Sequence, residues 1–313
     1  MNIDFEELIL KSNEVKRAAN ISLSIVALES TVLTHGLPRP HNLQLANDME
    51  RTIRAEGVTP ATIAFLDGYL HIGLTEGEIE RLANEKNVYK VGPRDFATVI
   101  SQGASGGTTV AGTMFACKHS NANIKVFATG GIGGVHRESG FDISADLQAL
   151  ATIPMIVVCA GAKAILDLPA TLEYLETMSV PVIGYGTDEF PAFYSRGSGL
   201  DVSVQIDTPK DIVDFARAHW SMGMQSAVLV ANPVPDADAI ARSKIEPIIE
   251  QVSREAQEKE IHGQELTPFL LQRISDLTKG QSMRANLSLL LNNARLAAQI
   301  AHAWRAAEKR RLA

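Results

Sequence analysis

Short apolar runs that alternate with amphipathic helical patterns constrain this chain more than any other feature. Each run has roughly four to eight residues, the length of a strand that is buried on both faces. The clearest runs lie in "LSIVALES", "IKVFATGG", "MIVVCA", "VPVIGYG" and "SAVLVANP". Strands that alternate with helices form a mainly parallel sheet joined by crossover helices. We therefore predict an α/β fold with a largely parallel sheet and a helical carboxyl-terminal segment.

Local signals place several elements along the chain. The stretch "HNLQLANDMERTIRAEG" predicts an amphipathic helix that ends at Gly57, and Asp67-Gly68 predicts a hairpin between two apolar runs. Thr75 and Glu78 have the spacing of a capping box, and Ser144 is a candidate cap for a later helix.

Length and composition limit the class of protein. The 313 residues contain no linker, repeat or low-complexity block, so we predict one domain over residues 1–313. The formal net charge of −7 argues against a nucleic-acid surface, which needs clustered Lys and Arg. The amino terminus has no signal-peptide pattern, and no apolar run approaches the roughly 20 residues that span a bilayer. We expect a soluble, cytoplasmic protein that binds neither nucleic acid nor membrane.

Lys163 follows one of the apolar runs. Residues 155–160 have the pattern of a buried strand, Gly161 ends it, and apolar residues at helical spacing begin at Ala164. We therefore predict that Lys163 lies at the carboxyl end of a strand and close to the amino end of a helix. Because that helix end is partially positive, the lysine either has an anion beside it or loses its proton easily. The alternative is a loop lysine that extends to solvent.

Ligands of open α/β sheets bind beyond the carboxyl ends of the strands. Four candidate features are predicted at or just beyond the carboxyl ends of four different strands, namely Glu29, Lys90, the turn at residues 130–134 and Lys163. Burial would raise the pKa of Glu29 and suit it to donating a proton, although it could instead cap nearby backbone amides. The convergence of these residues favours a functional role for Lys163.

Two glycine-rich segments favour a phosphorylated ligand. The segment "SGGTTVAGT", from Ser105 to Thr113, combines backbone N–H groups, hydroxyls and a helix amino end, which together can bind an anion. It is not a P-loop, because no Gly-Lys-Ser/Thr follows at the required spacing. The segment "TGGIGGVH" lacks the third glycine of a dinucleotide-binding fingerprint, and a tight turn explains it equally well.

Asp142 and Asp146 have i,i+4 spacing across a predicted helix start, which would place both carboxylates on one helix face. One could hold a hard divalent ion through waters while the other abstracts a proton. Helix capping explains both equally well, since a helix dipole favours carboxylates at its amino end. A carboxylic acid, a lysine and an anion site together suggest Schiff-base chemistry on an open-chain sugar phosphate.

The combined motifs resemble those of the pseudouridine-5′-phosphate glycosidases, also called the indigoidine synthase A family. The resemblance extends from about Leu23 to Ile300 and includes the last helix. The motifs that carry it are "ALESTVLTHGLPRP", "GGTTVAGTM", "TGGIGGVHR", "FDISADL", "CAGAKAILD", "VIGYGTDEFPAFYSR" and "ANLSLLLNNARLAAQIA". This resemblance implies a three-layer α/β/α fold with a mixed, largely parallel sheet, assembled as a homotrimer.

The resemblance also implies an activity and a set of site residues. The activity is that of a lyase, namely reversible cleavage of the C–C bond of pseudouridine 5′-phosphate to uracil and ribose 5-phosphate. Lys163 would be the nucleophile that forms a Schiff base with the ring-opened sugar, Glu29 the proton donor, and Asp142 a ligand of one Mn²⁺ per subunit. The residues that would contact substrate are Lys90, Thr109, Val110, Ser144, Ala145 and Asp146, with His136 and Asn286 as further candidates.

Two other functions are compatible with these residues. Lys163 and Glu29 would serve a Schiff-base lyase for a related sugar phosphate or C-nucleotide equally well, because base selectivity depends on few contacts. A sugar-phosphate-binding protein without turnover is the second alternative, because a fold does not guarantee activity.

Overall fold

The computed structural model describes residues 5–137, 142–261 and 266–312. Its strands are β1 (Ile9–Lys11), β2 (Ile25–Leu28), β3 (Thr59–Leu66), β4 (Tyr69–Ile72), β5 (Tyr89–Val91), β6 (Gly106–Thr108), β7 (Val126–Ala128), β8 (Val135–His136), β9 (Ile156–Cys159), β10 (Leu166–Asp167), β11 (Val182–Tyr185), β12 (Val204–Ile206) and β13 (Val228–Ala231). Its α-helices are α1 (Asn13–Asn20), α2 (His41–Ala55), α3 (Glu76–Asn84), α4 (Phe96–Gln102), α5 (Val110–His119), α6 (Ala145–Thr152), α7 (Leu168–Thr177), α8 (Pro209–Ser221), α9 (Arg242–Glu258), α10 (Leu266–Leu277) and α11 (Gln281–Leu312).

Seven strands in the order β3-β2-β7-β9-β13-β11-β12 form the centre of the main sheet, and every neighbouring pair among them is parallel. The inner strands β2, β9 and β13 are apolar along their whole length, and all four residues of each are buried, because helices cover both faces of the sheet. The predicted parallel sheet is confirmed.

The sheet becomes mixed at one edge because β3 is longer than its neighbour β2. The first half of β3, Thr59–Thr62, pairs with β2, whereas residues 63–66 pair with the antiparallel strand β4. The antiparallel strand β6 pairs with residues 64 and 65, and β5 lies parallel to β6. The β5–β6 ribbon therefore reaches the region beyond the carboxyl end of β2.

Helices form a layer on each face of the sheet. The long helix α11 contacts β2, β7 and β9, with α2 and α8 packed beside it. On the other face, α5 contacts β2 and β3 and packs against α6, which in turn contacts α7. The predicted three-layer α/β/α fold is confirmed.

Several local predictions are also confirmed. The Thr75–Glu78 capping box is present, the turn at Asp67-Gly68 joins the antiparallel strands β3 and β4, and the side chain of Ser144 caps α6. Within the described ranges, no helix combines the length and the apolar character needed to cross a membrane.

Gly161 occupies a crowded position with a positive φ of 89° between β9 and Lys163. A Cβ atom built there would overlap the backbone carbonyl oxygen of Pro191. Gly57 also has a positive φ, of 71°, but a Cβ atom there has no heavy atom within 4 Å.

We predict that Gly161→Ala lowers the free energy of unfolding by about 3 kcal/mol or more, because backbone strain and displacement of residue 191 add together. The matched variant Gly57→Ala should lose only roughly 1 kcal/mol, from strain alone. Urea unfolding followed by circular dichroism compares the two variants. Equal losses would show that the contact at Gly161 relaxes without cost.

Candidate active site

The candidate site is a cavity beyond the carboxyl ends of β2, β7 and β9. Its polar and charged lining includes the predicted residues Glu29, Lys90, Lys163 and Asn286. These residues come from the segment after β2, from β5, from the segment after β9 and from α11. The sheet topology thus brings together residues that are up to 257 positions apart in the chain (Glu29 to Asn286, 286 − 29).

Glu29 directly follows β2 and is only 8% exposed. Its carboxylate accepts a hydrogen bond from the hydroxyl of Thr129, the residue that follows β7. Burial raises the pKa of Glu29, whereas the positive charge of Lys163 and the hydrogen bond from Thr129 act in the opposite direction. The partner seen here is a side chain rather than the backbone amides that the alternative interpretation required.

Lys163 lies in a loop and not at a helix end. The helix that follows, α7, begins at Leu168, and Asp167 caps it by accepting a hydrogen bond from the amide of Ala170. The prediction of a helix amino end beside Lys163 was therefore wrong. Ala164 and Ile165, which were predicted to begin the helix, are instead loop residues buried against the core.

Backbone pairing with the turn after β7 fixes the position of Lys163. The amide of Ile132 donates to the carbonyl of Gly161 at 3.1 Å, and the amide of Lys163 donates to the carbonyl of Ile132 at 3.0 Å. The parallel pairing of β7 and β9 therefore continues beyond both strands, through the segment predicted as a glycine turn.

Lys90 reaches the cavity by a route that the sequence did not indicate. It lies in the middle of β5, which runs antiparallel to the central strands, and not at a carboxyl end of the parallel set. Burial lowers the pKa of Lys90, and the charge of Lys163 lowers it further, while Asp146 and Glu29 raise it. Two lysines therefore act on one another across the site.

The glycine-rich segment before α5 is a strand, β6, rather than a turn. A Cβ atom at Gly107 would overlap Thr34 and lie within 3.1 Å of the backbone of Ser30, so this strand needs glycine to approach the segment after β2. Thr109 caps α5 by accepting from the amide of Gly112, and Val110 is the buried first residue of the helix.

Asp146 links α5 to the turn after β7 and is 4% exposed. One of its carboxylate oxygens accepts from the amide of Ala111 at 2.9 Å, and the other accepts from the amide of Gly133 at 2.8 Å. Its neighbours Ser144 and Ala145 form the cap and the first residue of α6. Two amides of the first turn of α5, at Ala111 and Gly112, are thus already engaged within the protein.

Asp142 and Asp146 do not share a helix face. Because α6 begins at Ala145, Asp142 lies outside the helix, and its side chain is 64% exposed while Asp146 is buried. Among the described residues, His136 lies close to Asp142, with Nε2 of the histidine 4.0 Å from the carboxylate. The predicted common face was wrong, since the helix starts three residues after Asp142.

The metal prediction concerns Asp142. Across residues 5–137, 142–261 and 266–312, no group of three or more His, Cys, Asp or Glu side chains has a metal-binding arrangement. An exposed carboxylate with a histidine nearby fits a hard cation that keeps most of its waters, a mode known for ions such as Mg²⁺. The described residues around Asp142 do not form a cage made only of protein ligands.

Comparison with known proteins now adds to the geometry. Residues 14–303 match the family model described as "Indigoidine synthase A like protein". The chain belongs to the indigoidine synthase A family. A family member from Geobacillus kaustophilus, a pseudouridine-5′-phosphate glycosidase, is 51% identical over 94% of this chain and 98% of its own length. A glycosidase of the same name from Caldanaerobacter subterraneus is 49% identical over 93% of this chain and 94% of its own length.

Two solved structures have the same fold as this chain. An indigoidine synthase A-like protein from Thermotoga maritima matches with a TM-score of 0.87 at 33% identity, over 97% of this chain and 99% of its own. Prealnumycin C-glycosynthase AlnA, in complex with ribulose 5-phosphate, matches with a TM-score of 0.88 at 36% identity, over the same fractions. The predictions of family, fold class and enzyme are confirmed.

The cavity contains only part of the predicted residue set of the family. Seven of the predicted residues do not line the cavity, namely Thr109, Val110, Ser144, Ala145, Asp146, His136 and Asp142. The charge of Asp146 nevertheless acts on both Glu29 and Lys90. Sequence reasoning missed Thr129 and also His35, a half-buried lining residue in a π-helical turn (Val32–Gly36) just after Glu29. The motif "ALESTVLTHG" contained His35, but nothing in its spacing indicated a turn back into the site.

We predict that Thr129→Val raises the pKa of Glu29 further. A donated hydrogen bond stabilises the carboxylate, so its loss favours the protonated form. A ¹³C NMR titration of glutamate-labelled protein, with the signal assigned by Glu29→Gln, measures the change. Thr129→Ser keeps the hydroxyl and should titrate like the wild type. An unchanged pKa in Thr129→Val would contradict the prediction.

Proposed function

We propose that this enzyme reversibly cleaves the C–C glycosidic bond of pseudouridine 5′-phosphate to uracil and ribose 5-phosphate. The observation that carries the proposal is the shared cavity of Lys163 and Glu29, in which burial raises the pKa of the carboxyl. Relatives that carry the corresponding activity in their names are about half identical over more than nine-tenths of the chain. A protonated acid and a primary amine are the two groups that the reaction requires.

The first stage opens the ribose ring. Glu29 gives its proton to the ring oxygen as the bond between that oxygen and C1′ breaks, and the nitrogen of Lys163 forms a bond to C1′. The nitrogen then releases a proton, for which the Glu29 carboxylate is the nearby acceptor. The hydrogen bond from Thr129 holds the carboxyl in place through both transfers.

The second stage breaks the carbon–carbon bond. The nitrogen lone pair forms a C=N bond to C1′ while the pair of the C1′–C5 bond passes to C5 of the base. C5 takes up the proton that Glu29 received from the nitrogen, and the base leaves as uracil. Water then hydrolyses the iminium ion, which frees ribose 5-phosphate and the amine of Lys163. An iminium is needed because a carbon-linked base cannot leave by protonation of a glycosidic nitrogen.

Lys90 is the proposed partner of the substrate phosphate. It is a half-buried cation that lines the same cavity, and a dianion there would offset its repulsion with Lys163. The amino end of α5 adds a favourable dipole, although Asp146 and Thr109 already accept from two of its amides. The remaining substrate contacts implied by the family resemblance stay predictions, namely Val110, Ser144, Ala145, His136 and Asn286.

Asp142 would hold the predicted Mn²⁺, one ion per subunit. When bound, the ion would supply positive charge for substrate oxygens. The homotrimeric assembly and the cytoplasmic location are also retained as predictions that accompany this proposal.

A second candidate function is formation or cleavage of a C–C glycosidic bond to a group other than uracil. It is favoured by the likeness to prealnumycin C-glycosynthase, whose structure holds a pentulose phosphate. The same lysine and glutamate would serve both reactions, so the base is the point of difference. Release of uracil from pseudouridine 5′-phosphate, at a rate well above that for other C-glycosides, distinguishes the first candidate from the second.

We expect Lys163→Ala to lower the turnover of pseudouridine 5′-phosphate by at least about 10³-fold, because the covalent route is lost. Uracil release is followed by chromatography. Lys125→Ala is the matched control, since Lys125 is a half-buried lysine at the opposite, amino-terminal edge of the sheet. Substantial turnover in folded Lys163→Ala would refute the assignment of the nucleophile.

Borohydride reduction tests the Schiff base directly. With ribose 5-phosphate present, the wild type should gain the mass of one reduced sugar phosphate at Lys163, located by peptide mass spectrometry. A sugar-phosphate-binding protein without turnover would bind the ligand and gain no mass.

Metal removal tests the role of Asp142. We expect chelation to abolish most of the activity and Mn²⁺ to restore it, with Asp142→Ala needing at least about tenfold more Mn²⁺ for half-maximal activity. Asp188→Ala, which alters another exposed aspartate, is the control. Activity that survives chelation, or an Mn²⁺ requirement unchanged in Asp142→Ala, would exclude Asp142 as a ligand of an essential ion.

A further inference from the structure

Arg137 contacts the loop that carries the proposed nucleophile. The lysine loop, residues 161–165, contains no helical turn and joins β9 to the two-residue strand β10, which directly precedes α7. The guanidinium of Arg137 donates from Nη2 to the carbonyl of Ala164 at 3.0 Å and from Nε to the carbonyl of Leu166 at 3.2 Å. Both carbonyls lie within three residues of Lys163, one on each side of residue 165.

Glu246 completes the arrangement from the other side. Nη1 of Arg137 donates to the Glu246 carboxylate at 2.6 Å, and both side chains are less than one-third exposed. Glu246 lies in the second turn of α9, an element distant in sequence from the lysine loop. The three nitrogens of one guanidinium thus join the segment after β8, the lysine loop and α9.

The contact lies outside the catalytic cavity. A separate cavity is lined by Arg137, Glu246 and Leu166. None of these three residues lines the cavity of Glu29 and Lys163. Ala164 lines both, so the loop backbone forms the wall between them. Arg137 therefore contacts two carbonyls and the Glu246 carboxylate, and it does not line the cavity that holds Glu29 and Lys163.

The chemistry of the contact requires arginine. A guanidinium presents several donors in a fixed plane, so it can hold two carbonyls and a carboxylate at once, whereas a lysine ammonium is a single flexible point. Two carbonyls held by one rigid group fix the direction of the backbone between them. The hydrogen bond from the amide of Leu166 to the carbonyl of Lys163, at 3.0 Å, transmits that constraint to the lysine itself.

We propose that Arg137 is a positioning residue for Lys163, with Glu246 fixing the arginine in turn. This inference rests on the proposed function, because it concerns the rate at which Lys163 forms a Schiff base. Arg137 holds the lysine loop so that the amine meets C1′ at bonding distance. A displacement of about 1 Å at such a position can cost roughly 100-fold in rate.

The test measures the rate of borohydride trapping with ribose 5-phosphate in Arg137→Met, Arg137→Lys and the wild type. We expect Arg137→Met to trap at least about tenfold more slowly and to lose kcat, with KM changed less than about twofold. Arg137→Lys should recover part of the rate, because it restores a donor for one carbonyl. The affinity for ribose 5-phosphate before reduction, measured by calorimetry, should stay near the wild-type value.

Arg242→Met is the matched control. Arg242 lines the same outer cavity and donates to the carbonyl of Ser198, not to the lysine loop. We expect wild-type trapping in this variant. If Arg137→Met does not fold, Glu246→Gln provides the second measurement, since it removes the charge that fixes the arginine while keeping the side-chain shape. A reduced trapping rate in Glu246→Gln supports the proposal.

Three outcomes would overturn the inference. They are wild-type trapping in folded Arg137→Met or in Glu246→Gln, a loss of thermal stability in Arg137→Met with an unchanged rate per folded molecule, and an equal loss of trapping in Arg242→Met. Absence of trapping in the wild type is a different result, because it refutes the proposed function itself.

Discussion

The site depends on backbone pairing that continues beyond the ends of β7 and β9. Residues 129–132 and 158–163 stay paired through four hydrogen bonds of 2.9 to 3.1 Å after the regular strands stop. This extension carries Thr129 and Lys163 to the same place and brings each to Glu29. Loops without such pairing could not hold an acid and an amine at a fixed separation, and catalysis by positioned groups requires one.

The electrostatic arrangement follows from that placement. A buried carboxyl is costly to ionise, and burial likewise disfavours the charged form of Lys90. The positive charge of Lys163 favours the ionised form of Glu29, but it further disfavours the charged form of Lys90. The cavity therefore holds groups whose proton affinities differ from those in water, which is typical of sites that transfer protons near neutral pH.

The apolar pattern was sufficient for the fold because parallel strands buried on both faces read as continuous apolar runs. It placed Glu29 and Lys163 correctly at the ends of β2 and β9. The pattern misplaced Lys90, which lies in the β5–β6 ribbon, antiparallel to β3. That ribbon pairs with the part of β3 that extends beyond β2, and the sequence of β3 alone does not show how long its neighbour is. The start of the helix after Lys163 was misplaced because the apolar residues Ala164 and Ile165 have the pattern of a first helical turn. The sequence contains a better signal for the start of α7, namely a capping aspartate, Asp167, with a proline two residues later.

Helix α11 links the stability of the fold to the order of synthesis. Its buried residues Ala285, Leu289, Ala294 and Ala297 lie against the sheet, Asn286 lines the cavity, and Asn293 donates to the carbonyl of Thr129. Ribosomes make this helix after every strand that it covers. Until it emerges, the apolar face of β2, β7 and β9 has no cover, so a nascent chain that already contains Glu29 and Lys163 has no closed cavity in which to bind a sugar phosphate.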